Sequence, residues 1–124
     1  MSLKTSLRRA GDVAVVDLDG RITLGEGSGL LRTIVKDLVD SGQKNILVNL
    51  KGVIYIDSSG LGELVGTYST VTHANGAIKL LEPQDKVREL LHVTKLQAIF
   101  PTFADEREAL RSFASSASTS RLFL

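Results

Sequence analysis

The sequence predicts an α/β domain: a mixed central sheet of four to five strands with about four helices, in which an N-terminal hairpin is followed by βαβ units. An apolar run at residues 53–56 leads into an amphipathic helix, whose apolar residues recur at helical spacing: Leu61, Leu64, Val65, Tyr68 and Val71. A second apolar run, residues 77–81, follows that helix. Strand, crossover helix and strand therefore form a right-handed βαβ unit, which requires its two strands to be parallel.

An antiparallel hairpin is predicted at the N-terminus. Residues 3–8 alternate in polarity, residues 13–18 are an apolar run with β-branched side chains, and Gly11-Asp12 joins the two. Asp19-Gly20 then predicts a turn.

A second amphipathic helix is predicted after a glycine-rich connection at residues 24–29. It ends at Gly42, where glycine suits a left-handed C-cap. Its inner face is formed by Leu31, Ile34, Val35 and Leu38. The connection matches neither established glycine-rich phosphate-binding pattern, so we interpret its glycines as backbone flexibility at a helix entry.

Further strands and helices are predicted in the second half of the chain. A short strand at Ile46–Leu50 is bounded by Lys51-Gly52, and Asn75-Gly76 ends the central helix. Pro83 suits the first turn of a helix, and residues 98–100 predict a last short strand before Pro101. The helix after Pro83 has an inner face of Val87, Leu90 and Leu91.

Asp105 is predicted to cap a final helix that carries Ala109, Leu110 and Phe113. We expect one domain over residues 1–113, because 124 residues with 43% hydrophobic content suit a single core. Residues 114–124 predict a flexible Ala/Ser/Thr-rich tail, since residues 114–120 contain no large apolar side chain. Leu122–Leu124 are apolar enough to dock, and the sequence leaves open where.

Composition limits the classes of partner. Fifteen Lys and Arg against fourteen Asp and Glu give a formal net charge of +1, which disfavours direct binding to nucleic acid or to an anionic membrane. The chain has no Cys, which removes disulfides and thiolate catalysis. No apolar stretch approaches the length of a membrane span, and the N-terminus lacks the apolar segment of a signal peptide. We therefore expect a cytoplasmic protein.

The strand-to-helix junction carries the candidate site. Ser58 and Ser59 lie at the helix start, where a serine can cap the free N–H groups of the first turn. Either serine could be the cap, and this reading stays open for Ser59, which leaves Ser58 as the candidate for chemistry. Asp57 has two readings of equal weight, a functional carboxylate and an Asx-turn or helix-start carboxylate. This junction lies at the carboxyl end of a strand, where parallel sheets place their working surface.

Catalytic and metal-binding alternatives have weak support. A serine hydrolase needs a base beside its nucleophile, but His73 lies about 22 Å along the helix from Ser58 and His92 is read as a surface or capping residue. Ser41-Gly42-Gln43-Lys44 matches a Ser-x-x-Lys motif by letter only. The acids most nearly grouped for a metal, read as solvated turn residues, are Asp17, Asp19 and Glu26.

The hexamer at residues 57–62, Asp-Ser-Ser-Gly-Leu-Gly, resembles the signature of the STAS domain, and specifically of bacterial anti-sigma factor antagonists. Residues 18–22 resemble the family's turn after its second strand, and residues 46–50 its central strand. Leu80-Leu81 with the helix after Pro83 resembles the next βα step. The resemblance runs from about Leu3 to Phe113.

This resemblance implies a phosphorylatable binding module without catalysis of its own. The serine directly after the aspartate is the family's phosphate acceptor, which by position is Ser58. The partner-binding residues implied by the hexamer are Asp57, Ser58, Ser59, Gly60, Leu61 and Gly62.

The partners that it implies are an anti-sigma factor with serine kinase activity and a serine phosphatase. The unphosphorylated form would bind the kinase and free a sigma factor, and phosphorylation would end binding. No cofactor is expected on this chain, because ATP and Mg would be held by the partner kinase only.

Two other functions are kept as alternatives. The first is a STAS scaffold or transporter accessory subunit, with a permanent protein–protein interface and Ser58 only as a cap. An enzyme ranks third. The sequence leaves the sigma factor, the stimulus and the oligomeric state open.

Overall fold

A five-stranded mixed sheet forms the centre of the domain in the computed structural model, which describes residues 3–24 and 29–113. The strands lie in chain order across the sheet. The first pair is antiparallel and the remaining pairs are parallel, so the predicted hairpin and the parallel βαβ strands are confirmed. The strands are β1 (Leu3–Ala10), β2 (Val13–Ile22), β3 (Asn45–Ile56), β4 (Ala77–Leu81) and β5 (Thr102–Phe103).

Four α-helices accompany this sheet within the described residues. They are α1 (Leu30–Asp40), α2 (Ser58–His73), α3 (Asp85–Val93) and α4 (residues 106–113). A short 3₁₀ helix, Leu96–Ala98, follows α3. Among the described helices, none is both long enough and apolar enough to cross a membrane.

Apolar side chains pack on both faces of the sheet. Neighbouring strand residues such as Val15 and Val16 belong to different buried clusters, because side chains alternate between the two faces. The larger cluster packs under α1, α2 and α3. The smaller one lies under α4 and consists of Val13, Val15, Leu47, Leu81, Ala109 and Phe113.

The predicted helix ends are confirmed in detail. Gly42 is left-handed at φ 97°, and the Gln43 N–H donates to the Leu38 carbonyl at 2.9 Å, which closes a Schellman motif after α1. Asn75, at φ 61°, has the corresponding position after α2. At the start of α4, the Asp105 carboxylate accepts the Glu108 N–H at 3.2 Å, as predicted for a cap.

Two turns predicted from glycine are wrong. Asp19-Gly20 lies inside β2, and Lys51-Gly52 lies inside β3, which is one strand of 12 residues. The two strands stay paired because β3 absorbs extra residues at two register shifts, and Gly20 takes φ 119° between them. Glycine here permits an irregular strand rather than a turn.

The chain after α2 differs from prediction in two places. The last strand is Thr102–Phe103 rather than residues 98–100, because the chain first turns through the 3₁₀ helix and buries Phe100. Pro83 precedes the N-cap Gln84 rather than lying in the first turn of α3. The predicted tail at residues 114–124, including Leu122–Leu124, and Glu26 lie outside the described residues.

Candidate functional site

The junction between β3 and α2 is held by the end of β2. The Asp57 N–H donates to the Ile22 carbonyl at 3.3 Å, which continues the pairing of β2 and β3 by one residue. Helix α2 begins at the next residue, Ser58. The junction therefore lies at the carboxyl end of a parallel strand, as predicted.

Asp57 is the N-cap of α2. Its backbone is extended, and its Oδ1 accepts the Gly60 N–H at 2.9 Å while its Oδ2 accepts the Leu24 N–H at 3.2 Å. The hydrogen bond from Gly60, together with that from Leu24, holds the pKa of Asp57 below its usual value, because both favour the carboxylate. Of its two readings, the helix-start carboxylate is confirmed, and the reading of a serine as the cap is wrong.

Ser58 and Ser59 are the first two residues of α2. Ser58 is exposed and Ser59 is half-buried, as expected for the better exposed of the pair. Neither hydroxyl has a hydrogen-bond partner among the described residues. Because Asp57 already caps the helix, the exposed Ser58 hydroxyl has no part in the cap.

The other residues of the hexamer differ in exposure. Gly60 is buried, and a Cβ placed there would lie 2.1 Å from the Ile22 carbonyl oxygen, so only glycine allows this close approach of α2 to β2. Leu61 is half-buried and packs against the main core. Gly62 is exposed, and a Cβ there would meet nothing within 4 Å. Ser58 and Gly62 are thus the members most open to a partner.

The buried face of α2 is rotated relative to the predicted stripe. Val65 is 41% exposed, so its prediction as an inner residue is wrong, whereas Glu63 and Thr67 are buried. Thr67 satisfies its hydroxyl by donating to the Leu64 carbonyl. Glu63 Oε2 accepts the Gly29 N–H at the start of α1, and its Oε1 has no partner within the described part of the chain.

Sequence reasoning missed Glu63. The only sequence feature that indicates its burial is its helical spacing, three residues from Gly60 and four from Thr67. A charged residue is ordinarily interpreted as exposed to solvent even at such a spacing.

Exposed apolar side chains occur in the segments that meet at this junction. Leu24, whose N–H is bound by Asp57, is 74% exposed, and Tyr55 at the end of β3 is 50% exposed. Val65 lies two helical turns beyond Ser58 on the same side of α2. An accessible hydroxyl within an apolar surface is suited to protein–protein contact.

The imidazoles lie away from this surface. His73 is the last residue of α2, at the opposite end from Ser58, and its Nδ1 lies 2.7 Å from the Ser69 carbonyl oxygen. His92 contacts Gln97. Ser41 donates its hydroxyl to the Leu38 carbonyl. Asp17 pairs with Arg8, and the described residues contain no cluster of three metal-ligating side chains.

Comparison with known proteins decides the family. The family model described as the STAS domain matches residues 4–109. The chain belongs to the STAS domain family.

Named relatives of this STAS domain are antagonists of anti-sigma factors. The anti-sigma F factor antagonist of Paenibacillus polymyxa is 27% identical over 111 residues, which cover 89% of this chain and 94% of that protein. A candidate anti-sigma factor antagonist of Thermotoga maritima has a similar crystal structure, with a TM-score of 0.82 and 24% identity over 89% of this chain and 94% of that one.

The Bacillus cell-fate determinant SpoIIAA, in its phosphorylated form, shares the fold of this STAS domain. Its TM-score is 0.68 at 22% identity, over 88% of this chain and 98% of that one.

Proposed function

We propose that this STAS domain is an anti-sigma factor antagonist whose binding is switched off by phosphorylation of Ser58. The observation that carries the proposal is the exposed hydroxyl of Ser58 at the start of α2, which no described residue binds and which lies beside the carboxylate that caps the helix. The names of the relatives support the choice of partner class.

A phosphate at Ser58 is compatible with the fold. The first turn of a helix presents N–H groups and a positive dipole end, both of which favour a dianion. The exposed side chain supports no described contact that the phosphate would break. The effect of the modification should therefore fall on the contact surface rather than on the domain itself.

At that surface, a phosphate would oppose binding. It adds about −1.5 to −2 charges, and Asp57 already contributes a carboxylate next to it. A partner that covers the apolar surroundings of Ser58 would have to desolvate this charge without donors prepared for it.

The proposed partners follow from this switch. An anti-sigma factor with serine kinase activity binds the unphosphorylated form, releases its sigma factor and later modifies Ser58, and a serine phosphatase restores the hydroxyl. ATP and Mg belong to the kinase, and this chain contributes the acceptor. We place the protein in the cytoplasm with these partners and without catalysis of its own. The two histidines, His73 and His92, contact Ser69 and Gln97.

Phosphorylation with site mapping tests the proposal. Wild-type protein and the Ser58→Ala and Ser59→Ala variants are incubated with candidate serine kinases, ATP and Mg, and intact mass and peptide mapping locate the phosphate. We expect one phosphate on Ser58 in the wild type and in Ser59→Ala, and none in Ser58→Ala, which should fold normally. Phosphate on Ser59 or in residues 115–120 would reject Ser58 as acceptor. An unmodified protein with a permanent binding partner would instead favour the scaffold or transporter-subunit alternative.

A further inference from the structure

The end of β3 exposes two consecutive large apolar residues. Ile54 is 53% exposed and Tyr55 is 50% exposed. Gly20 of β2 pairs with Val53 but the next residue, Arg21, pairs with Tyr55, so β3 carries one extra residue here. In a regular strand, residues three apart lie on opposite faces of the sheet. Because of the bulge, Val53 and Ile56 are instead both buried, and Tyr55 is exposed.

Arg21 lies beside Tyr55 on the neighbouring strand. Its guanidinium carbon is 5.9 Å from the centroid of the Tyr55 ring, a cation–π contact. The side chain is exposed and forms no ion pair with any residue that the structure describes. A positive charge is thus held over an exposed aromatic ring, and no anion within the described ranges pairs with it.

The Arg21–Tyr55 pair, as we call these two residues, adjoins the proposed switch. Tyr55 is three residues before Ser58, and Arg21 is followed by Ile22, whose carbonyl accepts the Asp57 N–H. The pair lies at the carboxyl ends of β2 and β3, the end of the sheet at which α2 begins, so a partner that covers Ser58 and this end of the sheet meets both.

We propose that the Arg21–Tyr55 pair determines which anti-sigma factor this protein binds. The pair fits a partner segment that places a carboxylate against Arg21 and an apolar side chain against Tyr55. This inference rests on the proposed function and specifies its partner. Arginine and tyrosine are, with tryptophan, the residue types most enriched among the residues that dominate binding energy. A partner with a basic residue at this point would be repelled by Arg21.

Binding measurements with matched variants test the inference. The probe is the serine kinase that phosphorylates Ser58, titrated calorimetrically with wild type, Arg21→Glu, Arg21→Lys and Tyr55→Ala. Arg9→Glu and Leu7→Ala are the controls, since both residues are exposed on β1. The β2 partner of Arg9 is Ala14, roughly 23 Å along the strand from Arg21.

We expect Arg21→Glu and Tyr55→Ala each to weaken binding about thirtyfold, and Arg21→Lys and both controls to change it little. Added salt should weaken the wild type more than Arg21→Glu, because the salt screens an attraction only in the former. Melting temperatures show whether each variant is folded. If Tyr55→Ala does not fold, the result for Arg21→Glu decides the test.

Two negative results are distinguishable. If the wild type binds and is phosphorylated at Ser58 but Arg21→Glu binds equally well, the specificity role is overturned and the proposed function stands. If no serine kinase of the same organism binds or modifies the wild type, the proposed function is overturned together with this inference.

Discussion

The first turn of α2 depends on a carboxylate for its cap and leaves two hydroxyls unused. Asp57 binds both the Gly60 N–H within the helix and the Leu24 N–H after β2, so it joins α2 to the end of β2. The residue that follows it needs no role in folding. The residue that holds the site together, Asp57, is therefore different from the residue that we propose to be modified, Ser58.

Gly60 and Gly62 give a prediction at the residue scale. Alanine favours helix over glycine at both positions, but only at position 60 would the new Cβ overlap the Ile22 carbonyl. We expect Gly60→Ala to lower the free energy of unfolding by about 1–3 kcal/mol, and Gly62→Ala to raise it by about 0.5–1 kcal/mol. Urea unfolding of both variants measures this. Equal effects would show that the close approach of α2 to β2 is not as described.

The sequence predicts part of this residue-scale picture. The place of Ser58 at a helix start follows from a strand-like run and a helical period alone. The identity of the cap does not, because residues 57–59 are all good N-cap types. Which residue caps α2 is decided by the place where β3 stops pairing with β2, at Ile22. That contact is distant in sequence. The burial of Glu63 likewise depends on Gly29, which precedes α1 and donates its N–H to the Glu63 carboxylate.

Helix α4 is fixed to the sheet by polar contacts at both ends. Arg8 of β1 binds Asp17 at 2.7 Å and Glu106 at 2.7 Å, and it lowers the pKa of both carboxyl groups. Lys79 of β4 donates to Ser112 at 2.8 Å, and its Nζ lies 4.5 Å from the centroid of the Phe113 ring. Helix α4 also buries the apolar side chains of Ala109 and Phe113 in the smaller cluster.

Lys79 gives a prediction at the element scale. Its side chain is buried, and desolvation lowers its pKa from the usual value. The folded protein therefore binds fewer protons than the unfolded chain between that lowered pKa and about pH 10.5, and stability should rise with pH across this window. We expect the wild type to gain stability relative to Lys79→Met as the pH rises from that lowered pKa to about 10.5. Urea unfolding at a series of pH values measures the difference.

Lys51→Met, which removes an exposed lysine outside α4, is the control for this series. If the free energy of unfolding of the wild type, relative to that of Lys79→Met, stays constant or falls as the pH rises, burial does not disfavour the charged form of Lys79.

At the element scale, helix ends are predicted better than strand ends. Gly42 and Asn75 mark the ends of α1 and α2 because a left-handed residue there has a local cause. The glycines at positions 20 and 52 suggest turns by the same reasoning, yet both lie in paired strands. Their conformation is set by the register between β2 and β3, which local sequence does not contain.

The whole molecule follows the predicted order of elements. The alternation of apolar runs and amphipathic helices is sufficient to predict an α/β sheet with a parallel core, because connections between parallel strands leave few alternatives. The exposed surface around Ser58 is less predictable, since Tyr55 and Val65 belong to apolar patterns that suggest burial.

The boundary of the domain gives a prediction for the whole chain. We propose that residues 1–113 fold by themselves, since the family match ends at residue 109 and residues 114–120 offer no large apolar side chain. Truncation after Phe113 should change the melting temperature by less than about 4 °C. A larger decrease would show that Leu122–Leu124 contribute to the folded domain.

The central claim is that a phosphate on Ser58 ends binding to the anti-sigma factor. Calorimetric titration of unmodified, phosphorylated, Ser58→Ala and Ser58→Asp proteins against the purified kinase measures it most directly. We expect the phosphorylated form to bind at least a hundredfold more weakly, a change of about 2.7 kcal/mol. Ser58→Asp should weaken binding less, because it carries about half the charge of the phosphate, and Ser58→Ala should bind like the unmodified protein. Equal affinities for the phosphorylated and unmodified forms would contradict the switch and favour a permanent scaffold.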